Sequence, residues 1–562
     1  MEVIAIDFIE YCKDHIKVRE ATKQGYAIGV RGDSVNLEQP NSKTRRGRIG
    51  HQIAQTLTCS CNQGVIINNE EKNMGFIDEK YKDFIKKYGY ISNMFNPYNC
   101  QQIDELSPTQ TTYCGSATSS ATVLISEYSK LNKRENGMKE FKNKELIKYN
   151  FNMDKIRVFD VFAGIGALHQ SLKELGVPIK ITNISEIDID AIISYAGVHI
   201  ENFINLDFEY PSDEKMREWL IDKNIGWDFK KQKSLIPRLK KDKLNKVYKA
   251  SMLLNNLGDI SKIDYDNMED FDLFNFSFPC TDISNAGQQK GLKNEDGTPT
   301  RSGLVVYGLK AIRSKKPKFI MIENVKGLIQ KKFIDDFYDI IKELEDIGYK
   351  CYYPTKEDKK KGQVPTCLNA KDYGIPQNRE RIYVICVRSD VELNMTFPKG
   401  FDNGIRLKDV LEDKVDEKYY LGDVKNFFIN NSFTMESNGN GFRFEPHVDG
   451  KAQLSKTITT RAGARMDDNF IMDNTLHTDK EKFKFDSNNE EITKDINLYS
   501  LNIRKLTPKE CWRLMGFRDE CFERARQLGV SDSQLYKQAG NSIVVNVLYY
   551  IFKELFNDYI IE

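Results

Sequence analysis

From residue 155 onward, short apolar runs alternate with segments that have the periodicity of amphipathic helices. This alternation is typical of an α/β fold, in which crossover helices join the strands of a parallel sheet. The apolar runs are continuous, as expected for strands that are buried on both faces. Five strands are predicted, at residues 156–162, 179–185, 272–278, 318–323 and 381–387.

Three helices are predicted around this sheet. Apolar residues recur at helical spacing between Phe333 and Leu344, which indicates a surface helix packed on the sheet. Thr507 followed by Pro508 is typical of an N-cap and a first helical position. A last helix with one apolar face is predicted over residues 544–556.

The pattern of strands and helices is interrupted between residues 388 and 500, where Asn, Gly, Asp and Lys are frequent and turns are expected. The first 150 residues also lie outside the alternating pattern. We therefore predict an N-terminal extension at 1–150, a main domain at 151–390, a smaller domain at 391–500, and a C-terminal segment at 501–562 that completes the main domain.

The formal net charge of the 562 residues is only +1, so a nucleic-acid surface would require local clusters of basic residues. One such cluster lies between Lys230 and Lys249; it is either a solvated face or a phosphate contact. No apolar run is long enough to span a bilayer, and the first residues do not resemble a signal peptide. The 11 cysteines include no Cys-x-x-Cys pair, so we expect reduced thiols and no metal site.

A glycine turn follows the first predicted strand, at Gly164 and Gly166. His169 occupies the place of a third glycine, so the turn taken alone favours a structural turn over a ligand-binding one. Glu186 follows the second predicted strand, where an acidic residue can bind ribose hydroxyls.

Cys280 follows a buried strand and Pro279, which fixes the local turn. An inert buried thiol is the common fate of cysteine. Its position at the carboxyl end of a strand, where open α/β sheets place their sites, favours a nucleophile instead.

Several further motifs occur in an order that carries a resemblance. They are Phe162-Ala163-Gly164-Ile165-Gly166, Phe276-Ser277-Phe278-Pro279-Cys280, Glu323-Asn324-Val325, Gln377-Asn378-Arg379-Glu380-Arg381 and Gln538-Ala539-Gly540-Asn541-Ser542. Together they resemble the DNA cytosine-5 methyltransferases over roughly residues 155 to 562. The resemblance implies an S-adenosylmethionine-dependent, Rossmann-like sheet with a target-recognition domain at 391–500.

The resemblance also implies a catalytic set. Cys280 would add to carbon 6 of a cytosine flipped out of the duplex. Glu323 would hydrogen-bond N3 and the amino group, and Arg381 would support the O2 side, with Arg379 beside it. The residues expected to hold S-adenosylmethionine are Phe162, Gly164, Gly166, Glu186, Ile187, Asp259, Pro279, Asn541 and Ser542.

DNA contacts are expected at Arg301 and Ser302, in a segment that resembles the mobile catalytic loop, and at Thr457 and Thr459 in the recognition domain. The segment 455–460 shares its alternating threonines with 54–59 and 107–112, and an apolar pair or triplet follows each copy. We therefore interpret residues 1–150 as two recognition-type modules, with Arg45, Arg46 and Arg48 as phosphate contacts.

Two alternatives remain open. An RNA cytosine methyltransferase uses similar chemistry, although the long region 388–500 argues against it. A catalytically silent DNA-binding relative is also conceivable, since a fold does not guarantee activity. The resemblance implies double-stranded DNA as a partner, a monomer in the cytoplasm of a bacterium or phage-infected cell, and no membrane association. Whether a cognate restriction endonuclease accompanies the enzyme is left open.

Overall fold

The computed structural model describes residues 146–229, 231–279, 302–362, 364–393, 395–437, 444–473, 481–483 and 501–561, together with strands of the preceding segment. The chain divides into two compact units, Met1–Met138 and Lys139–Glu562.

The first unit contains two sheets. Its strands are β1 (Ile9–Tyr11), β2 (Ile16–Arg19), β3 (Tyr26–Gly29), β4 (Ser34–Asn36), β5 (Ile49–Gly50), β6 (Gln63–Asn68), β7 (Met94–Asn96), β8 (Gln101–Gln102) and β9 (Thr122–Ser126). Strands β1, β2 and β3 form one antiparallel sheet, and the other sheet has the order β5-β4-β6-β9-β7-β8.

The apolar triplets that follow the first two threonine segments lie in β6 and β9. These two strands pair in parallel, with Val65 opposite Val123 and Ile67 opposite Ile125. The two predicted modules therefore share one sheet. The threonine segments at 54–59 and 107–112, and the arginines at 45, 46 and 48, lie outside the described residues.

Among the described residues, the second unit contains the remaining strands and all of the α-helices. Its strands are β10 (Asn150–Phe151), β11 (Ile156–Val161), β12 (Ile179–Ser185), β13 (Trp227–Asp228), β14 (Lys233–Ser234), β15 (Leu273–Phe276), β16 (Phe319–Val325), β17 (Tyr349–Tyr352), β18 (Cys367–Asn369), β19 (Gln377–Asn378), β20 (Glu380–Arg388), β21 (His447–Val448), β22 (Ser455–Lys456), β23 (Phe470–Met472), β24 (Ile503–Lys505) and β25 (Ile560–Ile561). Its α-helices are α1 (Ala167–Leu175), α2 (Ile189–His199), α3 (Asp213–Asp222), α4 (Lys241–Leu253), α5 (Val305–Lys315), α6 (Ile334–Ile347), α7 (Lys356–Lys360), α8 (Leu407–Val410), α9 (Val424–Ser437), α10 (Pro508–Arg513), α11 (Asp519–Gln527), α12 (Asp532–Asn541) and α13 (Val545–Leu555).

The central sheet has the order β12-β11-β15-β16-β20-β17, and β18 also pairs with β20. The five predicted strands are all present, and β12, β11, β15 and β16 are parallel as expected. The expectation of a parallel sheet is wrong for β20, which runs antiparallel to β16. The chain enters β20 at the edge where β16 ends, so Arg381 lies opposite Val325.

Successive residues of the central strands belong to two different cores, as the two-residue period of a strand requires. Val158, Leu273 and Met321 belong to the core that includes α1, α2 and α13. Their neighbours Phe159, Phe274 and Ile320 belong to the core that includes α5 and α6. The sheet is therefore covered by helices on both faces, which confirms the predicted fold class.

The predicted helices are confirmed. Helix α6 buries Phe337, Ile340 and Leu344, and α13 covers most of the predicted segment 544–556. Helix α10 begins with a capping box, in which Thr507 accepts a hydrogen bond from the Glu510 amide and Glu510 accepts one from the Thr507 amide.

The interrupted region 388–500 has its own small core, which includes Phe428, Phe444 and Phe470. Helix α9 packs there beside a sheet of the order β21-β23-β24. Strand β24 consists of residues beyond 500 and pairs with β23. The chain therefore leaves the region 388–500 as a strand of the small sheet in that region.

The expectation of reduced thiols is wrong for one pair. Cys351 and Cys386 form a disulfide, because they lie directly opposite one another on the antiparallel strands β17 and β20. Sequence spacing gives no sign of this pairing, since the register of the two strands creates it.

In the parts of the chain that the structure describes, no helix is long and apolar enough to cross a membrane. Four of the nine basic residues in the cluster at 230–249 lie on α4, and three of these form ion pairs with described residues of the chain. Lys243 forms an ion pair with Asp190 at 2.7 Å, and Lys246 forms one with Asp242 at 2.8 Å. Phosphate contact by this cluster stays a prediction.

Candidate active site

Most of the predicted site residues in and next to the central sheet lie at one edge, where the parallel strands β11, β12, β15 and β16 end. The glycine turn follows β11, Glu186 follows β12, Pro279 follows β15, and Glu323 lies near the end of β16. Open α/β sheets place their ligands at this edge. The topology therefore brings together residues that are far apart in sequence.

The glycine turn is held to the end of β12 by Glu186. One carboxylate oxygen of Glu186 accepts a hydrogen bond from the Gly164 amide at 2.9 Å. The other accepts from the amides of Ile187 and Asp188, both at 2.8 Å. Burial raises the pKa of Glu186, the nearby Asp188 raises it further, and the backbone hydrogen bonds oppose this shift.

Gly164 has an open backbone with respect to the described residues. It has φ +55°, and among those residues a Cβ placed on it would meet only the Phe162 carbonyl oxygen, at 4.0 Å. A side chain at position 164 would fill this space, and the residue that carries it would need a backbone conformation that L-residues rarely adopt. The turn is therefore a cradle that a ligand can approach closely.

Asn256 was not predicted as a site residue from the sequence, yet its side chain holds the backbone of Glu186 in place. Its Oδ1 accepts hydrogen bonds from the amides of Glu186 and Gly258, at 3.1 and 3.0 Å. Its Nδ2 donates to the Glu186 carbonyl at 2.9 Å. The one feature of the sequence that pointed to Asn256 was its position just before Gly258 and Asp259, of which Asp259 is a predicted cofactor residue.

Asp259 and Ile187 are both only partly buried. The Asp259 carboxylate accepts hydrogen bonds from Asn224 Nδ2 and from the Ser261 amide, each at 2.9 Å, and so caps a short helix at Ile260–Lys262. The Ile187 carbonyl accepts from the Gly226 amide at 2.8 Å. Both residues therefore have fixed backbones close to Glu186.

The segment that leads to Cys280 is anchored to the end of β16. Asn324 Nδ2 donates to the Phe278 carbonyl at 3.2 Å, and the Glu323 amide donates to Ser277 Oγ at 3.2 Å. Cys280 and Arg301 lie outside the described residues, as does the side chain of Ser302, whose backbone begins a short helix at Ser302–Leu304. The described part of this segment ends at Pro279, and the two residues before it contact the end of β16 at Glu323 and its neighbour.

Glu323 and Arg381 form an ion pair in which Arg381 Nε lies 3.2 Å from Glu323 Oε1. Only 12% of the Glu323 side chain and 16% of the Arg381 side chain are exposed. Burial raises the pKa of Glu323, and Arg381 and then Arg379 oppose the shift. A carboxyl group in this setting can hold a proton more readily than one in water.

Arg379 lies in a different position from Arg381. Its buried guanidinium donates to the carbonyl of Ser542 at 2.9 Å and to those of Ile458 and Gly540 at 3.3 Å. Gln377 has a similar role, because it donates to the Leu514 carbonyl and accepts from the Ile458 amide. These two side chains connect the chain at and just after β19 to segments that lie about 80, 140 and 160 residues away in sequence.

Thr457 and Thr459 lie next to β19, which pairs in parallel with β22. The Thr457 hydroxyl donates to the Asn378 carbonyl at 2.7 Å. Both threonines line an open cavity of about 460 Å³ together with Asn378 and Lys456. Gly540 lies against them, since a Cβ on it would be 2.4 Å from the Thr460 amide nitrogen.

Helix α12 brings the last motif to the glycine turn. Lys537 forms an ion pair with Asp188, and Gln538 Oε1 accepts a hydrogen bond from Ser194 Oγ at 3.1 Å. Asn541 is exposed at the end of this helix, whereas Ser542 is buried. Asn541 and Ser542 therefore lie at the end of a helix that contacts the segment after Glu186.

Asp160 is a buried carboxyl group at the end of β11. Its Oδ1 accepts a hydrogen bond from Asn275 Nδ2, while Oδ2 has no hydrogen-bond partner among the described residues. Burial raises the pKa of Asp160 from 3.8 to about 7, and the charge of Glu186 contributes to the shift.

We expect Asp160→Asn to change the pH dependence of stability. Between pH 3.8 and about 7 the folded protein binds more protons at Asp160 than the unfolded chain does, so the free energy of unfolding falls as the pH rises. Across that pH range, the free energy of unfolding of the parent should fall by as much as about 4 kcal/mol relative to that of Asp160→Asn. Denaturant unfolding at several pH values measures the difference.

The exposed Asp154 offers a control for this measurement. Asp154→Asn should leave the pH dependence of the parent unchanged. If Asp160→Asn and the parent have parallel pH profiles, the carboxyl group of Asp160 does not titrate in this way.

The chain was compared with known families and proteins. The family model for C-5 cytosine-specific DNA methylase matches residues 223–557. The type II methyltransferase M2.ScrFI of Lactococcus lactis subsp. cremoris is 37% identical, over 71% of this chain and 99% of its own length. The orphan methyltransferase M.SPRI of Bacillus phage SPR is 29% identical, over 73% of this chain and 99% of its own length.

Among solved structures, the S. pombe Dnmt2 methyltransferase covers 72% of this chain and 99% of its own, with 17% identity and a TM-score of 0.45. The family match spans more than half of the chain, and it includes the Pro-Cys segment, Glu323, Arg381 and the last motif. The chain belongs to the C-5 cytosine-specific DNA methylase family and uses S-adenosylmethionine to methylate cytosine in DNA.

Proposed function

We propose that Cys280, Glu323 and Arg381 carry out methyl transfer to a cytosine that has left the stack of a specific duplex sequence. The observation that supports this most is the buried Glu323–Arg381 pair beside the segment that enters Cys280. A flipped base is required because a paired cytosine cannot expose carbon 6 to a thiolate.

In the proposed first step, the Cys280 thiolate forms a bond to carbon 6 of cytosine. Charge then develops on the ring, and Glu323 stabilises it through a hydrogen bond to N3. The raised pKa of Glu323 favours a protonated carboxyl group, which can donate that bond. Arg381 supports the O2 side and, through its ion pair, holds the Glu323 carboxyl group in place.

The addition makes carbon 5 nucleophilic. S-adenosylmethionine, when bound, would supply the methyl group: the bond from carbon 5 to the methyl group forms as the methyl–sulfur bond of the sulfonium breaks, and S-adenosylhomocysteine leaves. Loss of the carbon 5 proton and release of the Cys280 thiolate then restore the aromatic ring. The proton leaves to a base, and the electron pair of the C–H bond re-forms the double bond as the C–S bond breaks.

The cofactor is assigned to the cradle at Gly164. Its open backbone suits a ligand, and Glu186 lies where ribose hydroxyls are bound in nucleotide-binding α/β folds. Phe162, Gly166, Ile187, Asp259 and Pro279 surround the same strand ends, and Asn541 and Ser542 approach on α12.

We assign Arg379 a positioning role, although the sequence analysis placed it in the catalytic set. Its guanidinium lies on carbonyls of the segments that carry Ser542 and Ile458. It therefore connects the cofactor residues at the end of α12 with the threonine segment at 455–460. Thr457, Thr459, Arg301 and Ser302 stay predicted DNA contacts.

The domain at 391–500 is assigned to target recognition, and the unit at 1–150 to a further DNA contact. One named relative is a type II methyltransferase and another is an orphan methyltransferase. A cognate restriction endonuclease and a monomeric state stay predictions.

Cys280→Ala should abolish methyl transfer while S-adenosylmethionine binding persists, because the thiolate acts on the base and not on the cofactor. Duplex DNA containing 5-fluorocytosine should trap a covalent adduct with the parent, since fluorine prevents loss of the position 5 substituent. Mass spectrometry of the adduct should locate it at Cys280. Normal turnover by the alanine variant would contradict the mechanism.

Glu323→Gln should lower the single-turnover rate about a hundredfold or more, because the carboxyl group acts where charge develops. Its DNA affinity should change little. The matched control is Glu380→Gln, whose carboxylate pairs with Lys326 and is 47% exposed. Equal rates for the parent and Glu323→Gln would remove Glu323 from the catalytic set.

Arg379→Lys should raise KM for both S-adenosylmethionine and DNA, each about tenfold, because lysine keeps the charge but cannot bridge several carbonyls. The rate at saturating concentrations should change less. Arg388→Lys is the control at the end of the adjoining strand β20, since its guanidinium pairs with the exposed Asp390. A change in only one of the two KM values would contradict the bridging role.

A further inference from the structure

A histidine contacts the glycine turn at a backbone group that Glu186 does not hold. His199, the last residue of α2, has its Nε2 3.0 Å from the Ile165 carbonyl oxygen. Because a carbonyl oxygen only accepts, Nε2 carries the hydrogen in this contact. The neighbouring Nδ1 is shielded from solvent and has no partner among the described residues.

The ring of His199 is fixed by aromatic neighbours. It stacks on His169 with ring centroids 4.2 Å apart and an interplanar angle of 12°. The Tyr195 hydroxyl lies 3.3 Å from His169 Nδ1, and the Tyr195 ring lies 4.7 Å from that of His199. These contacts leave the imidazole little freedom to turn away from Ile165.

The turn lies directly on this cluster. Gly166 has φ +79°, and a Cβ on it would be 2.3 Å from His199 Nε2 and 2.8 Å from Tyr195 Cε2. Only glycine fits here, for steric reasons as well as for its backbone conformation. Because the fit is close, a shift in the position of the His199 ring would also shift the backbone of the turn.

The cluster is neutral near pH 7. Burial lowers the pKa of His169 to about 4, and Lys173 contributes to the shift. Burial also lowers the pKa of His199 well below its usual value, and His169 contributes. The hydrogen bond to Ile165 is therefore that of an uncharged imidazole, which adds no positive charge beside a cationic cofactor.

We propose that His199 is a positioning residue for S-adenosylmethionine: it fixes the Ile165 peptide, and with it the shape of the cradle between Gly164 and Gly166. Glu186 holds the Gly164 amide, and His199 holds the Ile165 carbonyl. The proposal rests on the assignment of the cofactor to this turn.

Two variants separate hydrogen bonding from packing. His199→Phe keeps an aromatic ring but loses the donor, and His199→Gln keeps an N–H donor at the end of a side chain of similar reach. A residue that only fills space would tolerate phenylalanine better than glutamine. A residue that holds a carbonyl would show the reverse order.

With the full-length enzyme and duplex DNA, His199→Phe should raise KM for S-adenosylmethionine about tenfold, which corresponds to the loss of one buried hydrogen bond. The kcat and the KM for DNA should stay within about twofold of the parent, and His199→Gln should recover most of the loss. S-adenosylhomocysteine binding, measured by calorimetry, should weaken in the same order. If phenylalanine prevents folding, His199→Met replaces it, because methionine adapts to irregular spaces.

Equal KM values for the parent and His199→Phe would overturn the proposal, as would equal losses in the phenylalanine and glutamine variants. Glu186→Ala separates this failure from that of the cofactor site. If Glu186→Ala raises KM for S-adenosylmethionine and His199→Phe does not, the positioning role alone fails. If neither variant raises it, the cofactor does not lie on this turn.

Discussion

The antiparallel pairing of β20 with β16 is the contact on which the arrangement of the site depends. It places Arg381 opposite Val325, so its guanidinium reaches Glu323 two residues earlier on β16. The same reversal brings Gln377 and Arg379, just before β20, to the edge where the parallel strands end. A strand that ran parallel to β16 would place Arg381 at the opposite edge of the sheet.

Buried polar side chains then connect the remaining parts to that edge. Arg379 and Gln377 hold backbone groups of the 455–460 segment and of the region around Ser542. Asn256 and Glu186 do the same for the backbone at Gly258 and for the glycine turn. Since a buried hydrogen-bonding group is costly to leave unpaired, each of these contacts strongly specifies one arrangement.

The site also concentrates carboxyl groups that burial makes more basic. Asp160, Glu186 and Glu323 all have raised pKa values, and desolvation is the largest cause in each case. Of these three, and among the described residues, only Glu323 has a cationic partner, Arg381, at ion-pair distance. Burial and that partner shift its pKa in opposite directions, which suits the role proposed for it.

The local sequence was sufficient to predict the strands, the capped helix at Thr507 and the apolar face of α6, because these depend on periodicity and on neighbouring residues. Motifs and their order were sufficient to predict the family. The reversal of β20, the disulfide between Cys351 and Cys386, and the contacts of Arg379, Asn256 and His199 were not predictable in this way. They join residues tens to hundreds of positions apart, and their geometry arises only when the strands have taken their register and the two cores have packed.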